Sequence, residues 1–291
     1  MDRKTMLKRL DSIKDLPTLP MIAVEVNKLM QDDNVTIEKL SDILSNDQAI
    51  VSKILRLVNS AFFGLRSRVN NIPEAVVLLG FSAIRNLVVS VSLIKSFPVK
   101  QSTKFFDITD FWKHSIAVAM ISKEISVKTN QSTADECFLG GLLHDIGKVV
   151  LYQFFPELFQ EIWKTVQTEE LFFYEAEKIK HSYNHARIGG YLARRWQLPK
   201  GIIETISSHH SPPEQSGEDG SLMLIVHGAN TIANTYMKEK VDKRYLTTLS
   251  PRAAKMIKPV ILDINNWFPQ TVKEIHEAWD FFMNDAGKAE A

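Results

Sequence analysis

Apolar residues recur at helical spacing along almost the whole chain, and no stretch alternates in the way a half-buried strand would. Apolar stripes of that period are buried by packing helix on helix, so an all-α fold is expected. Met21, Val24, Leu29 and Met30 suit one face, after an extended lead-in from Leu16 to Pro20. Thr36 is placed to cap a helix with Ile37, Leu40, Ile43 and Leu44 inward. Asn46-Asp47 breaks it, and Ile50, Ile54, Leu57 and Val58 mark the next. Residues 62–71 read as a connector. Pro73 starts another helix at its first turn, and Pro98 stops the helix that follows Ile84. In the second half, helices are expected over 111–127, 134–154 with an interruption at 145–148, 171–177, 185–196, 201–208, 222–236 and 267–283. In the last of these, Trp267, Val272, Ile275, Trp279 and Phe282 face inward. The expected boundary lies between Pro98 and Thr103. It divides a helical N-terminal subdomain, residues 1–100, from a second helical bundle, residues 101–291.

Composition narrows the function classes. Of the 291 residues, 45% are hydrophobic, enough for a sizeable core. The formal net charge is +1, which exerts no general pull toward nucleic acid or anionic lipid, so a nucleic-acid role is disfavoured. The most apolar stretch, Ala75 to Ile94, is split by Gly80 and holds Arg85 and Asn86. A membrane span needs about 20 mainly apolar residues, so a buried helix pair is expected instead. The charged segment Met1 to Leu10 has no apolar signal-peptide core. A single cysteine, Cys137, excludes an intrachain disulfide and fits a reducing cytosol, so a cytoplasmic location is expected.

The second half concentrates the chemistry. His114, His144, Asp145, His185, His209 and His210 sit on or at the ends of separate expected helices, each in apolar surroundings. Neutral imidazoles with a carboxylate suit transition metals, and converging helices can aim such ligands at one pocket. His144 and Asp145 are adjacent, so on a regular helix their side chains diverge by about 100°. Gly147 suggests a bend that brings both onto one pocket. Any one of these residues alone is more often structural than functional; the argument rests on their joint appearance. His181, His227 and His276 read as ordinary core-edge or surface histidines.

These residues carry a resemblance. Gly140-Gly141-Leu142-Leu143-His144-Asp145-Ile146-Gly147-Lys148 resembles the signature of the HD metal-dependent phosphohydrolase superfamily. Asn184-His185-Ala186-Arg187-Ile188-Gly189-Gly190, Trp196-Gln197-Leu198-Pro199 and His209-His210-Ser211-Pro212 are similar to the HDOD family in particular. In the first half, Leu16 to Pro20, Asp47-Gln48-Ala49, Val58 to Phe63 and Ala75 to Gly80 agree. The resemblance runs from Leu16 to Asn234.

The resemblance implies a helical N-terminal subdomain packed on an HD-like helical bundle, in a bacterial signalling or regulatory setting. It implies a divalent transition metal, with iron or manganese favoured, held by His114, His144, Asp145, His185, His209 and His210. Asn230 stands where the last ligand aspartate of the two-metal enzymes is usual. A neutral amide there implies a second ion that binds weakly. Asp145 and Lys148 would carry any catalysis, Lys148 as a point charge for a phosphate. The segment after His210 lacks the Gly-Tyr-Pro element of the cyclic-di-GMP-cleaving branch, which argues against that substrate. Two functions are therefore expected to compete: a regulatory protein that works by binding, and a metal-dependent phosphohydrolase for a nucleotide or other phosphoester. The expected partners are a signalling protein or a phosphorylated small molecule. Asn59, Ser60, Phe62, Phe63 and Arg66 form a polar-aromatic connector read as a docking surface.

Overall fold

The computed structural model describes residues 3–32, 34–60, 63, 65, 67–97, 105–181, 183–213, 220–237 and 242–283. Phe62, Arg66, the expected 98–103 boundary and the polar segment 214–219 lie outside them. The described residues form sixteen α-helices and one 3-10 helix, with no strand among them. In the first half these are α1 (Arg3–Ser12), α2 (Met21–Leu29), α3 (Ile37–Ser45), α4 (Gln48–Val58), α5 (Ile72–Leu79) and α6 (Phe81–Ser96). The second half holds α7 (Ile108–Thr129), α8 (Ala134–Leu143), α9 (Ile146–Phe154), α10 (Pro156–Glu169), α11 (Phe173–Lys180), α12 (His185–Arg195), α13 (Lys200–Ser208) and α14 (Gly220–Tyr236). The 3-10 turn Lys243–Thr248 leads to α15 (Pro251–Leu262) and α16 (Ile264–Met283).

Local chemistry sets the breaks. Thr36, Asp47 and Asn71 each accept a backbone N–H from the first turn of the helix they precede. A cap of this kind contributes about 1 kcal/mol. Gly80 adopts φ of 84° between α5 and α6, a conformation that suits glycine, and the two helices bend there by 119°. The apolar stretch 75–94 is therefore a bent pair. Its second arm packs on α2, α4 and α8, with Ile84, Leu87, Val88, Val89, Val91 and Leu93 buried. No single helix among the described residues is long and apolar enough to cross a membrane.

Around the site, α7 lies against α8 and α14, α12 packs on both α9 and α13, and α13 also meets α14. The hydrophobic core runs unbroken from the first half into the second. Polar ties reinforce that junction. Trp196 Nε1 donates to Pro17 O at 2.9 Å, Asn27 Nδ2 to Trp196 O at 3.4 Å, and Asn86 Nδ2 to Asp135 Oδ2 at 2.7 Å.

Three local expectations are corrected. Met21 and Val24 are exposed, and α2 buries Ile22, Ala23, Val26 and Asn27 instead. Leu16 and Leu19 dock in the core, and Asn27 reaches Trp196. Those anchors set the rotation of α2, which hydrophobicity alone could not choose between neighbouring stripes. Gly147 is an ordinary helical residue of α9, and the break falls at His144 and Asp145. What requires glycine is proximity: a Cβ at 147 would stand 1.9 Å from the carbonyl oxygen of His185. The helices α1, α10 and α15 were not expected; α15 carries Pro259 inside it.

Candidate metal centre

Four segments deliver the candidate ligands. His114 projects from the middle of α7. His144 and Asp145 occupy the break between α8 and α9, His185 opens α12, and His209-His210 closes α13. The break does what a regular helix could not, because it lets both side chains of the adjacent pair enter one pocket. His144, Asp145, His185 and His209 are buried. Their contacts divide into two donor groups sharing Asp145: Asp145, His185, His209 and His210 in one, His114, His144 and Asp145 in the other. Within each group the potential ligand atoms lie within 4.8 Å of one another.

Hydrogen bonds fix the tautomers. His144 Nδ1 is 2.7 Å from Gly141 O and His209 Nδ1 is 2.9 Å from Ile206 O. A carbonyl can only accept, so each Nδ1 carries a proton, which leaves Nε2 as the atom each ring can turn on a metal ion. His185 Nδ1 faces Glu177 Oε2 at 2.6 Å, and its backbone N–H donates to Glu177 Oε1 at 2.7 Å. All three Nε2 atoms look at Asp145: 3.3 Å from His144 to Oδ2, and 3.0 and 3.5 Å from His185 and His209 to Oδ1. His144 Nε2, His209 Nε2 and Asp145 Oδ1 are buried with no hydrogen-bond partner among the described residues.

Buried lone pairs turned on carboxylate oxygens repel unless something positive lies between them. A proton relieves one contact. Burial would depress the His185 pKa, yet the Glu177 and Asp145 carboxylates outweigh it and push it up. Burial keeps His114, His209 and His210 neutral. Burial, with help from His144, drives His114 down to about 3. Burial likewise drives His209 to about 3 and, with His209 and His185 beside it, holds His210 well below the usual range. Burial would raise Asp145, but His144 and Lys148 keep it well below the normal carboxylate range. Neutral His114, His209 and His210 beside one ionised carboxylate are in the protonation states that metal ligation requires, and an ion would displace the proton between His185 and Asp145. The donor set therefore fits a divalent metal ion.

The remaining sequence-derived residues have specific places. Lys148 Nζ lies 2.6 Å from Asp145 Oδ2. Asn230, on α14, puts its side-chain oxygen 3.1 Å from His114 Nε2 and accepts from Asn234 Nδ2 at 2.7 Å. His227 is structural, as expected. Its Nδ1 is 2.6 Å from His209 O and its Nε2 accepts from Ser250 N at 2.9 Å, so both ring nitrogens are used. Asn59 and Ser60 serve the fold. Asn59 clasps the backbone of Val69 at both N–H and C=O, at 2.7 Å each, and Ser60 Oγ donates to Leu57 O. Phe63 is half-buried against the core.

Sequence reasoning missed two members of the site. Glu177 is fully buried and holds His185. Tyr174 stacks on His210 with ring centroids 4.1 Å apart and planes 15° from parallel. Both come from α11, whose sequence FYEAEKIK reads as a polar surface helix. A glutamate eight residues before a ligand histidine is too loose a signal to single out.

The pocket opens into a groove of about 1480 Å³ reaching His114, Asp145 and Lys148, walled by Phe105, Phe106, Trp163, Phe173 and Trp279 among others. A smaller cavity of about 270 Å³, also bordered by Lys148, reaches His210 and Asn230.

Residues 16–212 match the family model for the HDOD domain. A protein of Treponema pallidum (strain Nichols), described as uncharacterized, is 31% identical over 221 residues. The match takes in 76% of this chain and 42% of that protein, so this chain spans less than half the length of its curated relative. The crystal structure of an HDOD domain protein of unknown function from Geobacter sulfurreducens superposes with a TM-score of 0.74 at 24% identity, covering 97% of this chain and 99% of that one. A candidate phosphohydrolase from Shewanella amazonensis SB2B gives 0.69 at 24% identity, covering 94% and 96%. At these identities the two structures speak to the fold.

Proposed function

This chain belongs to the HDOD domain family, and from that premise we propose that it is a bacterial regulatory protein that works by binding. A metal ion held in its histidine-aspartate pocket recruits a phosphorylated small molecule into the aromatic groove. His185, His209, His210 and Asp145 would hold the ion, with iron or manganese favoured by three imidazoles and one carboxylate. Such an ion supplies positive charge against phosphate oxygens. Glu177 orients His185, Tyr174 braces His210, and the carbonyls of Gly141 and Ile206 keep His144 and His209 in the ligating tautomer. Carboxylate and carbonyl partners of this kind typically contribute 10–100-fold in metal affinity.

One observation carries the choice of binding over hydrolysis. At and beside the second donor group the oxygens are already engaged by the protein: Asp145 Oδ2 by Lys148, and Asn230 Oδ1 by Asn234 and His114. Two-metal hydrolysis needs a second ion to stabilise the attacking and leaving oxygens together. The competing reading, a phosphohydrolase for a nucleotide or other phosphoester, is favoured by a nearly complete ligand set and by a groove that opens on Asp145. The connector face read from the sequence would carry the signal to a protein partner in the cytoplasm.

Elemental analysis of protein purified without chelator, followed by phosphoester assays on the loaded protein, separates the two. We expect bound iron or manganese that is lost in Asp145→Ala, and no turnover, cyclic-di-GMP included. Metal below about a tenth per chain would defeat the metal assignment. Turnover on the order of 1 per second or more that disappears in Asp145→Ala would establish the hydrolase instead.

A further inference from the structure

We propose that the Lys148 ammonium stands in for the second cation of this pocket, making it a one-metal, one-ammonium centre. The inference rests on the metal reading above and asks how the two donor groups are neutralised. Asp145 is shared between them and its two oxygens are divided: Oδ1 faces His185 and His209, while Oδ2 faces His144 at 3.3 Å, His114 at 3.8 Å and Lys148 at 2.6 Å. The shortest of these contacts is the one to the ammonium. Lys148 is three residues beyond Asp145 on α9, its side chain is only 22% exposed, and its Nζ lies 5.5 Å from the centre of the Phe173 ring. It borders both cavities and most of its side chain is covered.

Charge explains why both cations would not share this side. A divalent ion bound to His114, His144 and Asp145 Oδ2 would lie beside an ammonium on the same oxygen, with no second carboxylate in that donor group to offset either. Asn230, the other oxygen at hand, is neutral and already accepts from Asn234. His114 Nε2 faces that oxygen and so offers a proton there, not a lone pair. A single positive charge on a flexible stem, placed by the helix itself, satisfies Asp145 Oδ2 without demanding more ligands. A phosphate entering the groove then meets a metal ion on one side and an ammonium on the other. That arrangement grips an anion and lacks a second Lewis acid.

The test is manganese titration of the full chain, with bound metal counted and the ion's electron paramagnetic resonance recorded. Lys148→Met is measured in parallel; it keeps the stem against Phe173 and removes the charge. Wild type is expected to bind one ion per chain with the spectrum of isolated manganese. Lys148→Met is expected to bind a second ion at least tenfold more tightly than wild type does, with the broadened spectrum of a coupled pair. A coupled pair in wild type would overturn the proposal, as would unchanged second-ion affinity in Lys148→Met. Lys148→Gln provides the same comparison if the methionine variant does not fold, and the wild-type spectrum decides without either. Wild type that binds no ion at all defeats the metal reading itself, an outcome distinct from binding two.

Discussion

His114 Nε2 stands 3.1 Å from Asn230 Oδ1, so an α7 histidine and an α14 amide satisfy each other where two ligands of one ion would otherwise point. Asn234 secures the arrangement by donating to the same oxygen and to the backbone oxygen of Asn230.

Asn230→Asp should change that balance at little steric cost. The carboxylate can still accept from Asn234 and His114, and it adds charge for an ion. We expect a second metal ion to bind about tenfold more tightly than in wild type, equivalent to about 1.4 kcal/mol, and melting at saturating metal to rise by a few degrees. Calorimetric titration and thermal melts of the two proteins side by side measure both. Equal stoichiometry and equal melting would mean that residue 230 does not face the ions.

Glu177 should matter more than its position in a polar-looking helix suggests. Glu177→Gln keeps the shape and removes the charge, and metal affinity should fall by 10–100-fold because His185 loses its orienting carboxylate. Glu177→Ala leaves two buried donors of His185 unpaired and should cost about 3 kcal/mol in chelator. Denaturant titrations with and without metal check the pair. A Glu177→Gln protein with wild-type affinity would show that the second carboxylate is dispensable.

Acid should destabilise the metal-free protein, and the sign follows from the direction of each shift. Unfolded histidine titrates near pH 6.5. His209 in the fold is held at about 3, so between those values the unfolded chain takes a proton that the native protein refuses. Stability then falls as pH drops, by about 1.4 kcal/mol per unit for each such group. His210 acts in the same direction, and His114, a quarter exposed, contributes less. Asp145 adds a further loss below about pH 4. His185 works oppositely above pH 6.5, where its raised value lets the native state take up its proton first. Denaturation midpoints in chelator should therefore peak near neutrality and decline steadily below about pH 6. A flat profile from pH 7 to 5 would contradict the neutral, buried histidines.

Gly147→Ala tests the spacing of the site. The added methyl would overlap the His185 carbonyl, and α9 cannot yield without moving Asp145 and Lys148. A loss of about 3 kcal/mol or more is expected, at the upper end of overpacking costs, together with loss of metal. Circular dichroism melts and metal analysis would detect it; a variant with unchanged melting would place slack between α9 and α12 that the structure does not have.

What could be read from the sequence, and what could not, divides along physical lines. The helices with strong periodicity or clear start signals were visible, as at Thr36 and Pro73, because those signals are local. The ligand set was visible because His144-Asp145 and His209-His210 are adjacent pairs in apolar surroundings. The role of Gly147 was misread because close approach of two helices leaves no trace along one of them. Glu177 was invisible because its burial is created by α12, not by its own helix. Asn59 looked like a surface residue, yet its amide is spent on Val69, a contact ten residues away.

His227 joins one ligand residue to the far end of the chain. One ring nitrogen holds the backbone of His209, and the other holds the N–H of Ser250, the cap from which α15 begins. The imidazole is thus a rigid strut with neither end free to slide. A shift of α15 by about an ångström has to pull His209 with it or break one of the two hydrogen bonds. The backbone that carries one ligand histidine and the start of α15 are in this way held to a common distance, set by the width of one imidazole ring.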